Sequence, residues 1–154
     1  MQELLKIENI GKTFKSSSLF FRKKENIALK NINFSIYKGE IFGLVGESGS
    51  GKTTLSNIIL RLLKESEGKI YFKGKDISKF SKDELFNYRK EVQIVFQNPY
   101  SALNPKKTIG FSLKEILNIH NLYTEEERDK KVLKILKDIE LEEDVLEQYP
   151  SLSL

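Results

Sequence analysis

The residues of this chain that could do chemistry are concentrated in one stretch, Gly46-Glu47-Ser48-Gly49-Ser50-Gly51-Lys52-Thr53-Thr54. Its first eight residues match the pattern G-x-x-x-x-G-K-[ST]. Glycines permit the backbone angles that turn successive N–H groups inward on a polyphosphate. A helix starting near Gly51 adds its positive end to the same spot. Lys52 is spaced to reach the β- and γ-phosphates, and the Thr53 hydroxyl to coordinate Mg²⁺. A second GKT, Gly11-Lys12-Thr13, has Lys6 where the first glycine should stand and is rejected. A dinucleotide fingerprint fails as well, because Thr54 stands where its third glycine is needed. The expected ligand is a nucleoside triphosphate.

Such a loop must sit between a buried strand and an amphipathic helix, and the flanking sequence supplies both. Ile41-Phe-Gly-Leu-Val45 is a continuous apolar run, the pattern of a strand buried on both faces. After the glycines, Leu55, Ile58, Ile59, Leu62 and Leu63 recur on one helical face. Upstream, Leu4 to Phe14 reads as a strand with uneven alternation, and Lys15 to Asn26 as a polar-ended loop. Ile32 to Tyr37 alternates strictly and predicts a half-buried strand, followed by a Lys38-Gly39-Glu40 turn. Downstream come a short strand, Gly68 to Lys73, a turn to Asp76, and a capping box at Ser81 to Glu84 opening a short helix. Val92 to Phe96 reads as another apolar strand, and Asn98 to Pro105 as a loop bracketed by prolines. The remainder reads as helical: Ile109 to Ile119, then a capping box at Thr124 to Glu127 with Val132, Ile135, Leu136 and Ile139 as the apolar stripe. Strands with intervening helices predict the α/β class.

Composition narrows the field. The chain has 154 residues, 26 basic and 22 acidic, for a formal net charge of +4 spread along its length. That weak excess, without a basic patch interleaved with aromatics, argues against nucleic acid as a partner. No cysteine is present, which removes thiolate metal sites and cysteine nucleophiles. The lone histidine, His120, cannot build a multi-histidine metal site and is expected on a solvated helix face. No apolar run approaches the ~20 residues a bilayer-spanning helix needs, and the N-terminus lacks a secretory signal's apolar core. A cytoplasmic chain is expected.

The segments Leu44 to Leu55 (LVGESGSGKTTL) and Ile94 to Pro105 (IVFQNPYSALNP) together resemble the ATP-binding subunits of ABC transporters. Gln97 to Pro105 is similar specifically to the oligopeptide/dipeptide (and nickel) importer branch, as is the long insertion Lys15 to Asn26. The resemblance implies an α/β fold, the N-terminal part of a P-loop NTPase of the ABC nucleotide-binding type, with antiparallel strands, a partial core sheet and a following helical region. Residues 1–154 would form one incomplete nucleotide-binding domain, 1–97 its P-loop and sheet core and 98–154 its Q-loop and helical subdomain. It also implies that Gly46 to Thr54 form the Walker A loop for ATP and Mg²⁺. Gln97 would be the Q-loop glutamine, touching Mg²⁺ and the attacking water and coupling the site to the membrane subunits. Phe14 would be the aromatic that stacks on adenine. The implied partners are transporter membrane subunits, met through the Q-loop region, and a second ATP-binding subunit in a homo- or heterodimer. The implied location is peripheral, at the inner face of the cell membrane.

The family continues past a tyrosine-proline pair into the LSGGQ signature, Walker B and a switch histidine, whereas this sequence reads Tyr149-Pro150-Ser151-Leu-Ser-Leu154. His120 is too early to be that histidine. The expectation is ATP–Mg²⁺ binding, with hydrolysis belonging to the complete domain and negligible turnover by this chain alone. Without the Walker B strand that the family places beside it, Ile41 to Val45 would have an open edge. Two functional readings stand: the ATP-binding part of an importer, of peptides by the loop resemblance, or a non-catalytic nucleotide-binding or interaction fragment that docks on the membrane subunits. A DNA-repair or translation ATPase is disfavoured by Asn98 to Pro105.

Overall fold

The computed structural model describes residues 1–16, 24–98 and 102–150, in two compact units, 1–94 and 95–154. The expected Lys15–Asn26 loop is shorter than the sequence suggests, because Lys15 pairs with Glu25 and Ser16 with Lys24 across two strands. Residues 17–23 lie outside the described residues, as do 99–101 of the proline-bracketed loop and 151–154.

In the first unit, β1 (Glu3–Ser16), β2 (Lys24–Tyr37), β3 (Glu67–Phe72) and β4 (Lys75–Asp76) form an antiparallel sheet in the order β2-β1-β3-β4. The uneven alternation of β1 has a physical cause. Leu5, Ile7 and Ile10 are all buried, although a strict period of two would send Ile7 and Ile10 to opposite faces. An irregularity between them resets the phase, with Asn9 at φ 50 and, across the ladder, Asn31 at φ 51. Asparagine tolerates this left-handed region. The bulge is tied down by Asn33, whose Oδ1 accepts from the Asn9 N–H at 2.8 Å while its Nδ2 donates to Asn31. Gly68 of β3 passes so close that a Cβ there would stand 2.4 Å from the Glu8 and Asn9 carbonyl oxygens, so no other residue fits.

One sheet face, with Ile7, Ile10, Leu29 and Ile70, packs on α1 (Lys52–Ile59) through Leu55 and Ile58. α1 is shorter than its apolar stripe predicts. Arg61 at φ 56 ends it, and the Leu62 and Leu63 N–H groups both turn back to the Asn57 carbonyl. Leu62 is consequently exposed, while Leu63 packs against the core from the loop. A 3₁₀ turn (Ile77–Lys79) and α2 (Lys82–Glu91) follow, the latter opened by the Ser81/Glu84 capping box the sequence predicts.

The expectation of a buried strand at Ile41 to Val45 is corrected. No strand pairs with this segment among the described residues; Ile41 is 100% and Val45 95% exposed. An apolar run becomes a buried strand only when neighbours take up its hydrogen bonds and cover its faces. Here the whole segment is exposed, with Phe42 stacked on Phe34, centroids 4.7 Å apart. Val92 to Phe96 likewise forms no strand: Val92 caps α2, and Val95 is largely exposed.

In the second unit, α3 (Ile109–Ile119) is capped by Thr108, and α4 (Glu125–Asp138) opens with the Thr124/Glu127 capping box. Lys114 of α3 and Asp129 of α4 form an ion pair at 2.5 Å. Val132 and Leu136 are buried and Asp129 and Leu133 half-buried, but Ile135 and Ile139 of the predicted stripe are exposed: the covered face of α4 lies to one side of that stripe. His120 is the half-buried C-cap of α3, not a solvated residue of the helix body.

Candidate functional site: a phosphate cradle

The cradle is built in the first unit between β2 and α1. β2 ends at Tyr37, whose N–H donates to Glu40 Oε2 at 2.7 Å, closing the turn before Ile41 to Val45. The loop Gly46 to Gly51 follows and is solvent-accessible over Gly46 to Ser50. It is pinned internally by the Ser50 N–H donating to the Glu47 carbonyl at 3.2 Å. Gly51 is the N-cap of α1 with φ 94, and a Cβ there would meet the Ala28 carbonyl oxygen at 2.6 Å and Leu29 Cδ2 at 2.7 Å. The main chain therefore enters α1 pressed against β2, in a conformation only glycine adopts without strain.

Two features make the helix start receptive to an anion. No side chain caps α1 and its first turn holds no acid, whereas α2, α3 and α4 are capped by Ser81, Thr108 and Thr124. Its amide end carries the positive pole of the helix dipole. Lys52 folds over the loop, donating from Nζ to the Gly46 and Glu47 carbonyls at 2.6 Å each and to Ser50 Oγ at 3.3 Å. It thus ties the first helical residue to the start of the loop and holds a full positive charge over the cradle. Thr53 is exposed beside it and Thr54 half-buried.

Phe14 lies on β1, 41% exposed, with Lys12 Nζ 5.2 Å from its ring centroid. Lys12 itself donates to the Lys64 carbonyl at 2.6 Å, so the rejected GKT is a strand segment, not a loop before a helix. Gln97 is exposed on a bend in the second unit. A residue the sequence reading passes over is Tyr88 of α2. It is almost fully buried, donates from its hydroxyl to the Ile59 carbonyl of α1 at 2.6 Å, and burial pushes its phenol up to about 12. Its signal, a tyrosine on the apolar face of a short helix, is too common to stand out.

A glycine loop with an invading lysine, set between an antiparallel sheet and an uncapped helix, defines a P-loop domain. The family model described as ABC transporter matches residues 29–154, and the chain belongs to that family. It is 42% identical to the oligopeptide transport ATP-binding protein AppF of Bacillus subtilis, over 97% of this chain and 46% of AppF. It is 40% identical to the dipeptide transport ATP-binding protein DppF of Lactococcus lactis, over 97% of this chain and 47% of that protein. The chain thus spans about half the length of these curated relatives. Among solved structures it is similar to the ATP-binding cassette MJ0796, determined as a dimer in a post-hydrolysis state bound to ADP and Pi (TM-score 0.75, 34% identity, 96% of this chain and 62% of that one). These neighbours bear out the α/β nucleotide-binding fold. Among the described residues no helix is long and apolar enough to cross a membrane.

Proposed function

We propose that residues 1–154 are the ATP-binding part of an ABC importer of the oligopeptide/dipeptide branch, which energises peptide uptake. The observation that carries this reading is the cradle: Lys52 folded over Gly46 and Glu47 at the mouth of the uncapped helix α1. The amides of Gly46 to Thr54 hold the phosphates and Lys52 reaches the outer two. The Thr53 hydroxyl and the Gln97 side-chain oxygen are hard donors of the kind Mg²⁺ takes, and bound metal would neutralise phosphate charge. Phe14 stacks on adenine. Gln97 and the loop after it face the membrane subunits, a second ATP-binding subunit completes the working unit, and the protein works peripherally at the inner face of the membrane. Residues 1–97 and 98–154 act as the core and helical parts of one nucleotide-binding domain, and hydrolysis belongs to the complete domain.

The test is equilibrium titration with a fluorescent ATP analogue and Mg²⁺. Saturable binding is expected, weakened by Lys52→Ala about 10- to 150-fold, since a charged hydrogen-bond partner contributes about 1.5–3 kcal/mol. Failure of the folded chain to bind would remove the reading. The second reading, a non-catalytic fragment docking on membrane subunits, is favoured by the exposed apolar Ile41 to Val45. The two part on phosphate release once the rest of the relatives' length is supplied: turnover supports the first, silence the second.

A further inference from the structure

We infer that Tyr88 is a positioning residue for the phosphate cradle, acting through α1; the inference rests on the nucleotide-binding reading above. α1 has only eight residues, so it spans about 12 Å and moves as a rigid rod. Whatever fixes its last residue helps fix the amides at its first. At that far end the chain reverses: the Arg61 N–H donates to the Ile58 carbonyl, and those of Leu62 and Leu63 both donate to Asn57. The Ile59 carbonyl is left over, and the Tyr88 hydroxyl takes it at 2.6 Å.

The bond lies against the apolar core, where Tyr88 is 3% and Ile58 0% exposed, so water is a poor substitute for the hydroxyl. The ring is held edge-on by Phe72 of β3 at 5.0 Å and by Phe80 at 5.8 Å between centroids. The first turn of α2 is closed by its own capping box. A carbonyl of α1 is thus tethered to the sheet through an aromatic side chain packed against Phe72 and Phe80. Removing the hydroxyl leaves the apolar packing in place and releases only the axial tether.

The test compares the unsubstituted chain with Tyr88→Phe in two measurements, at a temperature where both are fully folded. Titration with the fluorescent ATP analogue and Mg²⁺ is expected to show about three- to tenfold weaker binding. Amide hydrogen exchange without nucleotide is expected to quicken at Leu55, whose N–H donates to the Gly51 carbonyl, relative to Ile70 in β3. A merely structural tyrosine would lower the melting temperature and leave both readouts unchanged, which overturns the inference while sparing the proposed function. No saturable binding by the unsubstituted chain overturns both. If Tyr88→Phe does not fold, Phe80→Leu, which frees the ring and keeps the hydroxyl, must weaken binding and quicken Leu55 exchange; unchanged values overturn the inference.

Discussion

Gly51→Ala tests whether the cradle depends on α1 being seated against β2. At φ 94 an alanine takes up a left-handed backbone that disfavours any Cβ by about 1–2 kcal/mol. The new methyl also meets the Ala28 carbonyl at 2.6 Å and Leu29 Cδ2 at 2.7 Å. The first is a main-chain atom of β2 and can yield only by shifting the strand, so overpacking adds about 1–3 kcal/mol. Together these come to about 2–5 kcal/mol, a large share of a domain's net stability. Gly39→Ala is the control: its φ is 80, but a Cβ there meets nothing within 4 Å, so only the conformational part applies. The assay is paired: thermal melting by circular dichroism, and titration with the fluorescent nucleotide at a temperature where the variants are folded. At about 4–8 °C per kcal/mol for a unit of this size, Gly51→Ala should melt well below Gly39→Ala. Where the helix start instead lifts off β2 to relieve the clash, the melt recovers and nucleotide affinity falls. A Gly51→Ala protein matching Gly39→Ala in both melting and affinity would refute the reasoning.

Three further outcomes are expected. The exposed Ile41 and Val45 should drive concentration-dependent self-association, seen by sedimentation velocity and reduced by the Ile41→Lys/Val45→Lys pair; a strictly monomeric parent chain contradicts this. Tyr88, neutral and raised to about 12 in the folded state against about 10 unfolded, contributes stability that is full below pH 10 and lost as pH rises from 10 towards 12, by up to about 1.4 kcal/mol per pH unit. Tyr88→Phe should flatten that alkaline limb in urea titrations. Thr124→Ala should destabilise the second unit by about 1 kcal/mol. Glu127, held below its ordinary range by the Thr124 backbone N–H and then its side chain, contributes fully above the unfolded carboxylate range and loses that contribution as pH falls through its lowered folded value, so acid should erase part of the difference between parent and variant.

What could be read from the sequence divides by how local its cause is. The capping boxes at Ser81 and Thr124 need four consecutive residues and nothing else, and both appear as predicted. The cradle is equally local, because its glycines and lysine meet within one loop. β1 is harder: Asn9 and Asn31 break the alternation, and the two lie on different strands. Ile135 and Ile139 mislead because a helix stripe shows which residues could be buried, not how wide the neighbour is. Ile41 to Val45 misleads for the same reason at larger scale: apolar sequence records the burial a segment needs, and no described strand meets that need. Tyr88 escapes notice because its partner is a main-chain carbonyl, which leaves no mark in the amino-acid pattern.

The cradle's two flanks are held unequally, and this bears on how tightly it can grip. On the helix side Gly51, Leu55, Ile58 and the Ile59 carbonyl are fixed against β2, the core and Tyr88. On the strand side the run Ile41 to Val45 is exposed and no described strand pairs with it, although Phe42 stacks on Phe34. A loop tethered at one end samples arrangements in which its amides do not converge, and apparent affinity falls by the fraction of time they do. Lys52 counters this from within, because its bonds to the Gly46 and Glu47 carbonyls clamp the loose end of the loop to the fixed helix. On the proposed function, lysine at this position would act twice, as charge on the phosphates and as the closure of the loop. Lys52→Ala should consequently quicken amide exchange at Ser50 even without nucleotide, an effect that a purely electrostatic role would not produce.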